Sequence, residues 1–533
     1  GKELMEAFRE FKRIWDPAWK MNPGKVIDPY GETANLRLGA DYHPPTLKTH
    51  FQFPEDAGSF AHATLRCVGV GKCRRHDSGT MCPSYMVTRE EEHSTRGRAH
   101  LLFEMLQGEE IKSGWKSKEV KNALDLCLAC KGCKGDCPVN VDMATYKSEF
   151  LAHYYKGRLR PRSAYAFGWI YWWARLASLM PGVVNFLTHN RLTAPLAKKV
   201  AGVDAHRRIP VFAKITFRTW FRQRLIRQRH TGNGRSLGKV ILWPDTFNNF
   251  FLPETLVAAT EVLEAVGFEV TIPTKTLCCG RPLYDFGMLN KAKALLKEIL
   301  TTLKTAIRDQ VPIIGLEPSC VAVFRDELVS LMPNDQDAMR LKKQVFTLAE
   351  FLEKKATGFK PPELKANALV HVHCHQKSIL GTESDASLYK KMSLEHHLLD
   401  SGCCGMAGYF GYETGDHYKV GLAAGERVLL PAVRSAEATT LIVADGFSCR
   451  EQIEQGTDRK GLHTAQVLQM ALHRETPDRR YPEQKYVDGM KLKDPHAKKK
   501  TAAAIIGISV IAVAALLLYR GRKKAYDNST SQN

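Results

Sequence analysis

At 533 residues and 44% hydrophobic content, the chain is long enough for several domains and too apolar for a disordered polymer. Its fourteen cysteines fall in tight C-x2-C and Cys-Cys-Gly groups, which argues against a disulfide framework and for metal in a reducing compartment. The formal net charge of +21 makes nucleic acid or an anionic membrane face the partner classes to weigh.

The chain begins at Gly1 without a signal-peptide pattern and reads as the downstream part of something longer. Leu4, Phe8, Phe11 and Trp15 recur at helical spacing, and Asp16-Pro17 and Asn22-Pro23-Gly24-Lys25 close the run with turns. These residues resemble the closing segment of FAD-linked oxidases of the vanillyl-alcohol oxidase type. The resemblance implies that residues 1–30 are the tail of a flavin domain missing from this chain, with Asn22 and Lys25 near its FAD. Residues 31–60 are rich in Pro, Gly and His and read as a linker.

Residues 61–158 read as a helical, ferredoxin-like two-cluster domain. Cys127, Cys130, Cys133 and Cys137-Pro138 form C-x2-C-x2-C-x3-C-P, whose last cysteine serves the other cluster in two-cluster ferredoxins. Upstream, Cys67, Cys73 and Cys82-Pro83 keep the same phase, with Val70 where the middle cysteine belongs. Swapping the final cysteines assigns Cys82, Cys127, Cys130 and Cys133 to a 4Fe-4S cluster. It leaves Cys67, Cys73 and Cys137 for a second cluster that lacks one thiolate. That centre is 3Fe-4S, or it is 4Fe-4S with Asp77 or His76 filling the gap. A structural zinc knuckle seldom packs four cysteines this closely before a proline. Helices are expected from Ser94 or Thr95 onward and near Lys118–Leu126. Arg96 and Arg98 are candidates to stabilise an anionic cluster and raise its potential.

Residues 159–236 carry most of the excess charge: from Leu151 to Pro244 there are eighteen Lys and Arg against one acid, Asp204. Ser163–Met180 places Tyr165, Trp169, Trp172 and Trp173 at helical spacing, with Arg175 as its one charge. The segment reads as a helix lying at a membrane surface or packing between domains. Basic and aromatic residues interleaved in this way also bind single strands, but the neighbouring redox motifs argue against nucleic acid as a partner.

Residues 237–350 and 360–475 read as two copies of an α/β cysteine-rich domain. In the first copy, strands Val240–Trp243, Glu269–Ile272 and Pro312–Leu316 accompany Cys278-Cys279-Gly280 and Cys320. In the second, strands Ala368–Val372 and Thr440–Ala444 accompany Cys374, Cys403-Cys404-Gly405 and Cys449. The Cys-Cys pairs lie 125 residues apart and the final cysteines 129. Strand-end thiols favour iron–sulfur or zinc. Cys374, Cys403, Cys404 and Cys449 make the stronger site. Cys278, Cys279 and Cys320 make the weaker one, because Asp245 and Glu317 stand where cysteines are expected.

The double-cluster motif followed by two Cys-Cys-Gly domains resembles the iron–sulfur subunit of anaerobic glycerol-3-phosphate dehydrogenase and the related part of heterodisulfide reductase. With the flavin-oxidase tail, residues 1–475 resemble the C-terminal part of fused FAD/iron–sulfur D-lactate dehydrogenase-like oxidoreductases. The resemblance implies electron relay from FAD, which oxidises a D-2-hydroxy acid, to a membrane quinone or other acceptor. The alternatives are a separate electron-transfer subunit and a heterodisulfide reductase-like thiol–disulfide oxidoreductase. After a charged linker (476–500), residues 501–519 carry no charge and are expected to form one transmembrane helix, followed by a basic tail (520–533). That helix would anchor a mainly cytoplasmic protein to a membrane, the inner one in a bacterium. The expected fold is therefore multidomain α+β and α/β with a C-terminal membrane helix.

Overall fold

The computed structural model describes residues 1–34, 38–39, 42–228, 236–356, 358–477 and 479–491. The chain divides into two compact units, Gly1–Leu47 and the remainder from Lys48 onward.

In the first unit a helix spans Lys2–Trp15. Asp16 stops it by turning its carboxylate onto the N–H groups of Lys20 and Met21 and the Lys12 ammonium. The Lys12 hydrogen bond holds that carboxyl down at about 2. Asn22 adopts a left-handed backbone with φ of 46°, and both it and Lys25 are exposed.

The second unit opens with short helices set by polar caps. Ser94 accepts the N–H of Gly97 and starts the helix Thr95–Gln107. Ser117 accepts that of Val120 and starts Lys118–Asp125, and Asp142 accepts that of Thr145 and starts Met143–Tyr154. Each cap satisfies an N–H that the first helical turn leaves open. The Cys127–Cys137 motif lies between the last two of these helices, and the Cys67–Cys82 motif precedes the first.

Two parallel sheets follow. Strands β1 (Lys239–Trp243), β2 (Glu269–Thr271), β3 (Ile313–Gly315) and β4 (Val345–Phe346) pair in the order β2-β1-β3-β4, and β5 (Asn367–Val370), β6 (Glu395–Leu398) and β7 (Leu441–Val443) in the order β6-β5-β7. Parallel pairing needs crossover helices on the sheet faces, which explains the buried Val-Ile-Leu-Trp run of β1. The sheets share one core: Val240, Leu242 and Val257 pack in the same cluster as Val370, Leu441 and Leu468. Strands β4 and β6 are additions to the sequence expectation. β6 alternates polar histidines with partly buried positions, a pattern that hydrophobic runs do not reveal.

The aromatic segment expected as one helix is two, Arg162–Gly168 and Ile170–Ala177, broken at Trp169. Ala174 and Ala177 pack on Phe212, Phe250, Phe251 and Phe447, while Trp173 and Leu176 stay exposed.

The expected membrane-spanning helix requires correction, and with it the membrane-anchored localisation. No described helix is long and apolar enough to cross a membrane. Residues 501–519, on which both expectations rested, lie outside the described residues.

Candidate metal centres

The structure gathers the ferredoxin-like cysteines around two small cavities. One is lined by Cys82, Cys127, Cys130 and Cys133. The other is lined by Cys67, Cys73 and Cys137, with Val70 in its wall. The loop between Cys127 and Cys133 bends sharply because Ala129 and Lys131 both take left-handed φ values of 50° and 59°. Such backbone costs about 1–3 kcal/mol per residue and persists where the surroundings enforce it.

Arg98 tests whether the first cavity suits an anionic cluster. Its guanidinium is fully buried. It donates to Cys82 Sγ at 3.2 Å, to the Ser84 hydroxyl and to the Ala123 carbonyl, and none of these is a carboxylate. A buried cation without a carboxylate partner fits a negatively charged group held by the four thiolates. The N–H of Met143 also reaches Cys133 Sγ. At the second cavity the Arg96 N–H donates to Cys73 Sγ at 3.3 Å, while its side chain binds Glu91. His76 and Asp77 are not among the residues lining that cavity. Asp77 is largely exposed.

Both Cys-Cys-Gly turns use their glycine for a left-handed bend, with φ of 79° at Gly280 and 84° at Gly405. At Gly405 a Cβ would stand 1.8 Å from the Gly421 carbonyl oxygen, so only glycine fits.

The two copies differ in what surrounds their thiols. In the first, Cys279 and Cys320 Sγ lie 2.9 Å apart and Cys278 accepts the Thr246 hydroxyl. Asp245 caps a helix through the N–H groups of Phe247 and Asn248, and the Asn248 amide also binds it. Glu317 accepts Ser319 and, from the second copy, the N–H of Phe447 at 2.8 Å. Burial and then the Glu317 charge lift Asp245 to about 6. Cys320, although hydrogen-bonded to Cys279, is pushed up to about 12 by burial and by both carboxylates. These two carboxylates are engaged as caps, so the first copy offers three thiols where the second offers four.

The second copy holds Cys374, Cys403, Cys404 and Cys449 together. The hydrogen bond from Cys403 draws Cys374 down to about 7. Cys404 is lowered by Cys403 and Cys449 in the same way. His371 adds a buried ring that faces Cys404 and lowers its thiol further. A buried imidazole nitrogen turned to thiols is a donor arrangement that suits a metal. The sequence reading missed this ring, although three histidines, His371, His373 and His375, flank Cys374.

The centres are neighbours. Cys130 packs with Cys374 and Cys403 in one buried group, and Gly79 N–H donates to Asp400 at 3.0 Å. An apolar cavity of about 590 Å³ opens beside them. Cys130, Arg281, His373 and Cys374 lie in its wall, with aromatic residues such as Phe167, Phe212, Tyr409 and Phe447.

Comparison with known proteins matches residues 63–141 to the 4Fe-4S dicluster domain and residues 246–325 to the cysteine-rich domain. The chain is 26% identical to D-2-hydroxyglutarate dehydrogenase of Pseudomonas putida over 87% of its own length and 49% of the relative's. It is 28% identical to a subunit of the anaerobic glycerol-3-phosphate dehydrogenase of Escherichia coli, over 54% of this chain and 72% of that one. It is 29% identical to lactate utilization protein A of Exiguobacterium, over 43% and 96% respectively. The chain thus spans about half the length of the D-2-hydroxyglutarate dehydrogenases it matches. Domain content and relatives together support an oxidoreductase electron-transfer role.

Proposed function

We propose that this chain is the iron–sulfur portion of a flavin-dependent D-2-hydroxy acid dehydrogenase and passes electrons from FAD to a quinone or another apolar acceptor. The observation that carries the reading is the contact of Cys130, from the four-cysteine cavity, with Cys374 of the second cysteine-rich site, beside an apolar cavity. The dehydrogenase relatives support the hydroxy-acid substrate class.

In the proposed holoprotein Cys82, Cys127, Cys130 and Cys133 hold one 4Fe-4S cluster. Cys67, Cys73 and Cys137 hold a three-iron centre, and Cys374, Cys403, Cys404 and Cys449 hold a third site. When bound, the clusters supply one-electron transfer and the flavin accepts the hydride. The protein's contribution is placement and tuning. Arg98 stabilises negative charge at Cys82, and the aromatic walls near Cys130 and Cys374 suit a flat, apolar acceptor.

Iron and zinc analysis with low-temperature EPR, on anaerobically purified protein as isolated and after dithionite, tests the reading. The expected result is iron in excess of zinc, an EPR signal from the oxidised three-iron centre and a reduced 4Fe-4S signal. Zinc with little iron would overturn it. Reoxidation of the reduced protein by a short-chain quinone, slowed by Ala197→Trp in the cavity wall, tests the acceptor's place.

A further inference from the structure

We infer that His371 is a metal ligand at the second cysteine-rich site, its Nε2 adding a fifth donor to the thiols of Cys374, Cys403, Cys404 and Cys449. The inference rests on the proposed presence of metal at that site.

A ring nitrogen of His371 and the Sγ atoms of Cys404 and Cys449 all lie within 4.8 Å of one another. The ring is 2% exposed. Its Nδ1 is taken, 2.7 Å from the Ser401 hydroxyl. That leaves Nε2, which is buried and faces the Cys404 thiol. With its proton on Nδ1 and shared with Ser401, the ring presents the Nε2 lone pair to the thiols. Metal-bound histidines are oriented through their second nitrogen in this way. Ser401 sits two positions before Cys403, so one loop sets both the ring and the paired thiols.

His375 also has a buried Nε2 and groups with Cys374 and His373. Those three residues are consecutive, so their closeness follows from the chain. His371 instead meets thiols 33 and 78 positions away, a meeting that the tertiary fold makes. The first copy supplies the contrast. The offset that carries Asp245 to Cys374 carries Leu242 to His371, so the copy whose cysteine positions hold carboxylates has no imidazole either. As a fifth donor the neutral imidazole adds no negative charge, whereas a thiolate in its place would lower the potential of an iron–sulfur centre.

The test uses the full chain, labelled with 15N-histidine and purified anaerobically, as wild type, His371→Ala and His371→Cys. Metal content and pulsed EPR are read on each. The expected result is a nitrogen coupling of directly bound imidazole in the wild type that is absent from both variants. His371→Ala should lose metal from this site on dialysis against chelator, and His371→Cys should retain it at a lower potential. The signals of the two ferredoxin-like clusters serve as the internal control and should not move. A coupling that persists in His371→Ala, or a wild-type site that holds iron with no histidine coupling, overturns the assignment. Zinc at the site whose stoichiometry falls in His371→Ala keeps the ligand assignment and overturns the relay role instead. Metal-free thiols in the wild type overturn both.

Discussion

Lys131 Nζ lies 2.6 Å from the Asp326 carboxylate, 195 residues away along the chain. The ammonium is 2% exposed and also meets Asp142 and Glu327. Arg281 binds Glu327 and Asp285 in the same buried network. This network joins the cluster-binding loop to the first cysteine-rich copy. Burial alone lowers the Lys131 pKa, but the three carboxylates hold it well above the ordinary value.

Lys131→Met removes the cation shared by Asp142, Asp326 and Glu327 and leaves Lys134 beside the first two and Arg281 on the third. Those remaining pairs keep the loss below the ~3–5 kcal/mol of a buried pair broken from one side, and the unfolding midpoint of the cluster-loaded protein should fall. Adding Asp326→Asn to that variant should recover part of the loss. An unchanged midpoint in Lys131→Met would contradict a structural role for the network.

Arg98→Met removes the donor to Cys82 Sγ. A charge-assisted hydrogen bond is worth about 1.5 kcal/mol or more, which for one electron corresponds to about 65 mV. The bond is stronger to the more negative reduced cluster, and only that excess shifts the potential, so the variant's 4Fe-4S potential should drop by a fraction of that amount. A redox titration followed by EPR reads it, with the other centres unmoved.

Val70→Cys supplies a fourth thiol at the second cavity. Val70 lines that cavity yet is 61% exposed, so the change disturbs little packing. The expected outcome is one more iron per chain and loss of the oxidised three-iron signal. An unchanged spectrum and iron count would argue against a vacant fourth ligand position there.

Glu254 gives a pH signature away from the metal centres. It is 5% exposed, and burial raises its carboxyl from 4.5 to about 7. The folded chain keeps this proton to about pH 7, whereas the unfolded chain releases it near pH 4.5. Its contribution to stability is thus full below pH 4.5 and is lost as pH rises to about 7, a difference of about 3 kcal/mol. Glu254→Gln should remove this pH dependence, and denaturation midpoints at pH 5 and pH 8 would show it.

Local signals reached a long way here. Two helices were legible, from Ser94 or Thr95 and near Lys118–Leu126, and the runs Val240–Trp243 and Thr440–Ala444 marked core strands. The short strands β4 and β6 escaped because two residues, or an alternation built on histidine, carry little hydrophobic signal. The aromatic run Ser163–Met180 kept helical spacing, yet the structure breaks it at Trp169, where packing on Phe212 and Phe251 sets the second helix.

The sequence by itself determined the chemistry: which cysteines share a spacing, which copy keeps four of them, and where Val70, Asp245 and Glu317 stand in for thiols. Those facts are local, because spacing of a few residues limits which atoms can meet. The tertiary structure alone decided the rest. It brought Arg98 to Cys82, Lys131 to Asp326, His371 to Cys404 and Cys130 to Cys374. Each of these meetings depends on how loops 16 to 244 residues apart are carried by packed helices and parallel strands, and no local pattern encodes that placement.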